Sequence, residues 1–583
     1  MARVHVLPPE IISKIAAGEV IERPASVVKE LLENSLDAGT SSLEINITNA
    51  GKTRIEIKDT GSGIDAGDIE KIFLRHSTSK ISTVDDLYSI ASLGFRGEAL
   101  YSVAAVSDIT VKSTTASQDS GWEIHIRGGE KISLHPSTIP TGTHIEIREL
   151  FFNTPARKKF LKSDTTEMNQ IIGAVIPYTL IYPGVHFVLS HNKRNILDLP
   201  PVASQLKRIC QTLSIEEKHI TEANYEYREE NVNARLFLGD INIKKVNRSS
   251  QFIFVNNRPV QNKQISFQIN QAYRLIFPEG TNPVFIVCLT IPPGNVDVNV
   301  HPSKKEVKIK NENLIASFLR AVCEKNLMEY GKAKQLHNAP FKLPEKTEKY
   351  ASSTEKPWET AAIKEFLNAY DTPRTSRDGT PDIPAQKQTF FLIKDGNLKN
   401  KLAEAEFIGQ FKNKYLFFET ADSLLVMDQH AGHERVTYER LNRQVKTGKV
   451  EIQHLLAPIL IKVNQQEMLR WEENNKTLEK IGLLTTLWDK ETIALHACPH
   501  AIDKPETAIM NVLSEEEIST HDLDMLIRRA CRQSIMVGDR IHKEQAEALR
   551  KQLLECDDPF TCPHGRPTVI EIQENYLSRQ FLR

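Results

Sequence analysis

Between residues 26 and 37 the chain reads Ser-Val-Val-Lys-Glu-Leu-Leu-Glu-Asn-Ser-Leu-Asp, and its apolar and polar positions separate at helical spacing. Val27, Val28, Leu31, Leu32 and Leu36 share one side; Glu30, Glu33, Asn34 and Asp37 share the other. The pattern predicts an amphipathic helix capped by Ser26 and ended near Gly39. Taken alone, such a polar stripe also fits a solvated face. The period then changes to two. Leu43, Ile45 and Ile47 alternate before Asn49-Ala-Gly51, and Ile55 and Ile57 after it, predicting two strands. The second strand delivers Asp59 into Gly61-Ser-Gly63, where glycine admits positive φ and lets a ligand approach the backbone. Asp-x-Gly-x-Gly is, by itself, also an ordinary turn. Gly94-Phe95-Arg96-Gly97, followed by helix-forming Glu98-Ala99-Leu100, predicts a nest of N–H groups at a helix N-terminus, which suits phosphate. Gly142-Thr143 opens another alternating strand, His144 to Arg148.

The pattern divides the rest of the chain. Residues 1 to 25 are punctuated by Pro8, Pro9, Gly18 and Pro24 around a short predicted helix, Glu10 to Ala17, an arm that can pack on its own domain or on a partner. From about 206 to 332 a second α/β unit is expected, with buried strands in Phe252–Pro259 and Val284–Thr290 and a strand and turn around Lys304. Residues 333–403 lose periodicity, and Pro340, Pro344, Pro357, Pro373, Pro381 and Pro384 interrupt a Lys/Glu/Ser/Thr/Asn-rich stretch, which reads as a flexible tether. Order returns over 404–583. A strand pair from Tyr415 to Val426 ends near Asp428, and His430 and Glu434 share a face of the helix that follows.

Composition narrows the class. At 583 residues, 40% apolar and 26% charged, the chain has room for three or four ordinary globular domains. A net charge of -1 leaves any nucleic-acid surface to local clusters, and two are present: Arg157, Lys158, Lys159 and Lys162, then Lys244, Lys245, Arg248 and Arg258. Either is equally a solvated face. The N-terminus lacks the apolar core of a secretory signal, and no uninterrupted apolar run reaches the roughly 18 residues of a membrane span. Seven cysteines in so long a chain are not a disulfide framework, so an intracellular, reducing location is expected.

The candidate metal chemistry lies near the C-terminus. Asp428, His430 and Glu434 stand at a strand-to-helix junction, and Cys562-Pro-His564 places a thiolate two residues from an imidazole. Each is read as a divalent transition-metal site or as ordinary structure. Cys498-Pro-His500 repeats the triplet in another context and reads as core or loop, and His433 is an extra imidazole beside the trio. No Gly-x-x-x-x-Gly-Lys-Ser/Thr occurs, which excludes a P-loop enzyme.

The helix with Glu33 and Asn34, the Asp59 turn, the Gly94–Leu100 nest and Thr143, in this order, resemble the Bergerat-type (GHKL) ATPases. Longer motifs narrow the resemblance to the MutL family of mismatch-repair proteins: Ile15-Ala-Ala-Gly-Glu-Val20, Glu22-Arg-Pro24, Lys29 to Gly39, Arg75 to Lys80, Leu93 to Leu100 and Leu150 to Leu161. The resemblance implies a multi-domain α/β protein: a Bergerat-type ATPase α/β sandwich over 1–205, a ribosomal S5-like second domain over 206–332, the flexible linker, and an α+β dimerisation and endonuclease domain over 404–583 with an inserted subdomain at 455–530. It implies that Glu33 activates the attacking water, Asn34 binds Mg²⁺, Asp59 accepts from the adenine amine with Gly63 behind the base, and Thr143 is a second adenine-side contact. Asp37, Lys80 and Gly94, Phe95, Arg96, Gly97, Glu98, Ala99 and Leu100 wrap ATP, and Lys304 reaches the γ-phosphate from the second domain.

The C-terminal motifs, with Ala530-Cys531-Arg532 between them, resemble the signature of the endonuclease-type MutL proteins. By that resemblance Asp428, His430, Glu434, Cys562 and His564 hold Mn²⁺ or Zn²⁺ and the product is a nicked strand. Cys531 is as consistent with packing beside the site as with ligation. A non-catalytic matchmaker with a structural metal is the alternative. Gln453, Leu455, Leu456 and Pro458 resemble a sliding-clamp docking peptide, and equally an apolar strand. Arg157, Lys158, Lys159 and Arg258 are then candidates for DNA backbone contact. The implied setting is the bacterial cytosol and nucleoid, with MutS, the clamp, DNA and a second copy of the chain as partners and no membrane. The segment from Tyr576 to Arg583 is placed either at the dimer interface or near the metals.

Overall fold

The computed structural model describes residues 21–80, 92–94, 97–243, 245, 247–274, 277, 281–297, 307–337, 397–514, 523–531 and 540–580. The arm before residue 21, Phe95, Arg96, Lys244, Lys304, Arg532 and the last three residues lie outside that set.

The polar-striped helix, α1, spans Pro24–Asp37. It begins two residues before the expected cap. Proline at the first helical position needs no N–H partner, so Arg23 occupies the cap position in extended conformation and Ser26 lies inside the helix. Gly39, at φ +71°, ends it. The two expected strands are β1 (Ser42–Thr48) and β2 (Arg54–Asp59), antiparallel with Ile45 opposite Ile57. With β3 (Asp108–Thr114), β4 (Gly121–Arg127), β5 (Glu130–Ser137), β6 (Gly142–Arg148), β7 (His186–His191) and β8 (Arg194–Leu199) they form one sheet, ordered β5-β4-β3-β6-β2-β1-β7-β8. Helices α1, α2 (Ala99–Val106), α3 (Pro155–Phe160) and α4 (Asp164–Ile181) accompany it. Leu31 and Leu32 of α1, Ile45 and Ile57 of the sheet and Met168 and Ile172 of α4 are buried in one core. The apolar face of α1 is thus buried on the sheet, and its polar stripe lies near the end of the central strand β2, where Ser35 meets Asp59.

A second core belongs to a five-stranded sheet, β12-β11-β13-β10-β9, built from β9 (Ile220–Tyr227), β10 (Val232–Gly239), β11 (Gln251–Val255), β12 (Arg258–Val260) and β13 (Phe285–Thr290). Helix α5 (Gln205–Leu213) packs Ile209 into the first core, and α6 (Lys263–Tyr273) and α7 (Glu312–His337) accompany the second. The expected strand over Phe252–Pro259 is a hairpin: Asn256 and Asn257 adopt φ of 50° and 63° and turn the chain between β11 and β12. A short ribbon, β14 (Val296–Asp297) with β15 (Lys308–Ile309), flanks the segment that carries Lys304. Helix continues to His337 and resumes at Asn397 with α8 (Asn397–Glu404), inside both ends of the expected tether.

The C-terminal region has two cores. One lies under the sheet β16-β17-β18-β22, from β16 (Glu406–Phe411), β17 (Tyr415–Glu419), β18 (Ser423–Asp428) and β22 (Val569–Gln573). The other belongs to β19 (Ile452–Lys462), β20 (Leu484–Asp489) and β21 (Thr492–Pro499). The long helix α9 (Gln429–Lys446) leads from the first unit toward the second, contributing Tyr438 and Leu441 to the second core. The second unit corresponds to the expected insert but starts at Ile452, so the docking-like peptide is part of its first strand. Among the described residues, no helix is long and apolar enough to cross a membrane.

Candidate nucleotide and metal sites

The polar stripe of α1 is not a solvated face. Glu33 is 3% exposed. Tyr178, on α4, donates its hydroxyl proton to Glu33 Oε1, and the Lys29 ammonium stands 3.0 Å from the same oxygen. One turn along α1, Asp37 accepts from the backbone N–H groups of Leu93 (2.9 Å) and Gly94 (3.1 Å), fixing the start of the glycine-rich segment. Lys80 places its ammonium 2.9 Å from Asn34 Oδ1 and 2.5 Å from Asp37 Oδ2. A cation is therefore held at the amide assigned to Mg²⁺, and the oxygens there suit one.

Asp59 ends β2 and is ringed by donors: Ser35 Oγ at 2.8 Å to one oxygen, Gly61 N at 2.9 Å and Thr143 N at 3.2 Å to the other. Burial raises its pKa above the usual 3.8, and these hydrogen bonds only partly offset it. Thr143 is itself held, its hydroxyl 3.0 Å from Ser113 Oγ. Gly63 sits at φ +74°, and a Cβ there would lie 2.0 Å from the Thr114 carbonyl oxygen, so only glycine allows this close approach. At the other end of the site, Gly97 (φ +62°) packs against the Ser77 backbone, where a Cβ would lie 2.3 Å from the carbonyl oxygen, and α2 starts two residues on. Glu98 is paired with His76 at 3.2 Å and Arg75 at 3.7 Å, and Ala99 and Leu100 form the first turn. The Asp59 carboxylate, the Asn34 amide, the buried Glu33 carboxylate and the glycine-rich segment at Gly94 therefore lie around one half of α1.

In the C-terminal unit the sheet assembles the second cluster. β18 pairs with β22, so the loop before β22 runs beside the end of β18, and the Asp428 N–H donates to the Thr568 carbonyl at 2.9 Å. Glu434 thereby comes to lie between His430 (Nε2 to Oε1, 3.0 Å) and His564 (Nδ1 to Oε2, 3.4 Å). Ligand atoms of Glu434, Cys562 and His564 all lie within 4.8 Å of one another. Burial alone would raise the Glu434 pKa, yet the two imidazoles hold it down at about 2. The bond to Glu434 raises the His430 pKa in spite of burial. Carboxylate, imidazoles and thiol at this spacing form a donor set that suits zinc or manganese.

Asp428 is beside this group but differently employed: it caps α9, its Oδ1 accepting from Ala431 N at 3.0 Å. His433 bonds the Gln429 carbonyl of its own helix at 3.0 Å, and burial lowers its pKa. Cys531 is buried in the insert core close enough to feel the Glu434 charge, which, after burial, raises its thiol pKa further. Cys498 is fully buried on β21.

The remaining sequence candidates fall on two kinds of surface. Lys158 and Lys159 are exposed on α3 and Arg157 half-buried, next to an exposed Phe160. Arg258 is not part of a basic surface. It is buried, and its guanidinium donates to the Ser92 carbonyl. The turn at Asn256–Asn257 directs this side chain from the second domain to the glycine-rich segment of the first. Gln453, Leu456 and Pro458 are exposed and Leu455 half-buried in a stretch where β19 loses register with β21 between His454 and Ile459. Tyr178, Lys29, Ser35 and Ser113 were not anticipated. Lys29 is one turn from Glu33 and was open to an i, i+4 reading, whereas Tyr178 joins it only through the packing of α4 on α1.

Comparison with known proteins matches three parts of the chain to family models. Residues 21–146 match the model described as histidine kinase-, DNA gyrase B-, and HSP90-like ATPase. Residues 213–328 match the DNA mismatch repair protein, C-terminal domain, and 408–541 the MutL C terminal dimerisation domain. The DNA mismatch repair protein MutL of Carboxydothermus hydrogenoformans is 35% identical over 602 residues, covering all of both chains. That of Clostridium acetobutylicum is 32% identical over 630 residues, again covering both completely. Among solved structures, the ADP complex of the Aquifex aeolicus MutL ATPase domain is 30% identical, covering 47% of this chain and 94% of that one, at a TM-score of 0.37. With full-length relatives above 30% identity and three family models in the expected order, the chain belongs to the MutL family of DNA mismatch repair proteins.

Proposed function

We propose that the chain is an ATP-hydrolysing homodimer of mismatch repair that nicks DNA with a metal-dependent site in its C-terminal unit. The observation that carries the endonuclease is Glu434 lying between His430 and His564 with Cys562 within ligand distance. Glu434, His430, Cys562 and His564 would hold the ions, with Asp428 supplying a carboxylate at the edge of the group. When bound, such ions lower the pKa of water and stabilise charge on the leaving oxygen. The chain's own part is to keep Glu434 ionised between two imidazoles and to present His564, which is exposed, on the side where a DNA backbone can approach.

In the ATPase domain, Asp59 orients the adenine, Gly63 admits it, Asn34 holds Mg²⁺, and the nest at Gly97 to Leu100 receives phosphates. Lys80, whose ammonium bonds Asn34 Oδ1 and Asp37 Oδ2, would supply positive charge beside the phosphates. Phe95 and Arg96 complete the lid, Lys304 engages the γ-phosphate, and Glu33 takes the proton of the attacking water. Lys158 and Lys159, with Arg157, contact the DNA backbone, MutS supplies the mismatch signal, and Leu455 and Leu456 enter an apolar pocket of the sliding clamp with Gln453 and Pro458 orienting them.

One observation favours a second reading. Asp428 is engaged as a helix cap, and the tightest group, Glu434, Cys562 and His564, can hold a metal without it, so the ion need serve only the fold. A non-catalytic matchmaker would follow. Incubation with supercoiled plasmid and Mn²⁺ separates the two: the endonuclease reading requires conversion to nicked circles that Asp428→Asn abolishes while ATP turnover persists. No nicked product under these conditions, with ATP and clamp added, leaves the matchmaker.

A further inference from the structure

Accepting Glu33 as the base, we propose that Tyr178 is a positioning residue for ATP hydrolysis, holding one oxygen of the Glu33 carboxylate so that the other is presented to the attacking water.

Three features of the packing carry this. First, Tyr178 is 1% exposed, so its hydroxyl must find a partner inside the protein, and the partner it finds is Glu33 Oε1 rather than a backbone carbonyl. Second, the Lys29 ammonium approaches the same oxygen at 3.0 Å. Two donors on Oε1 define the plane of a carboxylate whose terminal torsion is otherwise soft. Third, the hydroxyl is a permanent donor. Burial, then the Glu33 charge and hydrogen bond, raise the Tyr178 pKa well above 10, so it neither competes for the proton nor passes it on. The register between helices gives the pair its setting. Tyr182 follows Tyr178 by four residues at the C-cap of α4, as Asp37 follows Glu33 on α1, and Tyr182 lies within electrostatic reach of both carboxylates.

Tyr178 also ties α4 to α1, and a tie alone would be a structural role. The two are separated by what they change. A tie supports the whole nucleotide site and would alter ATP affinity and melting temperature. A positioned base acts only in the step that moves the proton.

The test is steady-state ATP hydrolysis by the full-length chain carrying Tyr178→Phe, which removes one oxygen and keeps the ring. The expected result is a kcat lower by about tenfold with KM for ATP changed by less than about twofold, a melting temperature close to that of the parent, and no further loss when combined with Glu33→Ala. An unchanged kcat, or a raised KM at unchanged kcat, overturns the proposal. Glu33→Ala alone tells which idea has failed: if it still hydrolyses ATP, the base assignment falls and Tyr178 with it, whereas if it is inactive and Tyr178→Phe is not impaired, only the positioning role falls. Should Tyr178→Phe not fold, Lys29→Met removes the other donor on Oε1 and must lower kcat at unchanged KM, and an unaltered kcat there contradicts the claim that donors on this oxygen set the rate.

Discussion

At the scale of single residues, the nucleotide site is a set of buried polar groups each held by a second one. Asp59 carries the most direct consequence. Its carboxylate accepts three hydrogen bonds and is still pushed up in pKa by burial. In its proposed role, accepting from the exocyclic amine of adenine, Asp59 is the stronger acceptor when ionised. Affinity for ATP is therefore full at neutral pH and falls as pH drops through a midpoint above 3.8, the ordinary value. Equilibrium titration with a fluorescent ATP analogue across the acid range reads this limb. Asp59→Asn should weaken binding by about 10- to 100-fold at neutral pH, the usual worth of a hydrogen bond to a charged group, and should flatten the limb. Gly63→Ala tests the adjacent close approach: the added Cβ meets the Thr114 carbonyl at 2.0 Å, so binding of the same analogue should be lost and the melting temperature lowered.

At the scale of elements, periodicity made α1, β1, β2, β6 and α9 legible, because each buries one face of a regular repeat. Its failures have physical reasons. Ser26 looked like a cap because capping residues precede apolar runs, but Pro24, which has no N–H to satisfy, starts the helix two residues earlier. Arg258 looked like surface because charged residues usually are, yet the asparagine turn before it aims the side chain at Ser92 and burial follows. The Tyr178–Glu33 bond pairs residues far apart in the chain, and no local pattern encodes it. The metal cluster was legible as two fragments, while the reason they meet, the pairing of β18 with β22, is a property of the sheet. The docking-like strand gives the prediction at this scale. Leu456 is fully exposed where β19 and β21 lose register, so Leu456→Ser should leave the melting temperature within about 1 °C and weaken capture by a sliding clamp, measured by surface plasmon resonance. Basic helix α3 is tested likewise: reversing Lys158 and Lys159 to Glu should weaken binding to duplexes of any sequence and reduce the salt slope by about 0.9 per lost phosphate contact.

For the whole molecule, the proposed function places two chemistries on one chain. The ATPase domain and its neighbour share a contact that matters for coupling, since Arg258 of the second unit holds the Ser92 carbonyl at the start of the lid segment that Asp37 fixes from the other side. The candidate metal ligands lie in the C-terminal unit, beyond a proline-rich stretch in which residues 338–396 fall outside the described set. The account therefore treats ATP turnover and DNA cleavage as separable activities of one chain, one organised by Glu33 and the other by Glu434.

That separation is the central claim, and a crossed pair of variants measures it most directly. Purified full-length protein is assayed for ATP hydrolysis and for Mn²⁺-dependent nicking of supercoiled plasmid, as parent, Glu33→Ala and Glu434→Ala. The account predicts that Glu434→Ala loses nicking by at least about 100-fold and retains ATP turnover, while Glu33→Ala loses turnover and retains basal nicking. Nicking by Glu434→Ala at the parental rate would contradict it.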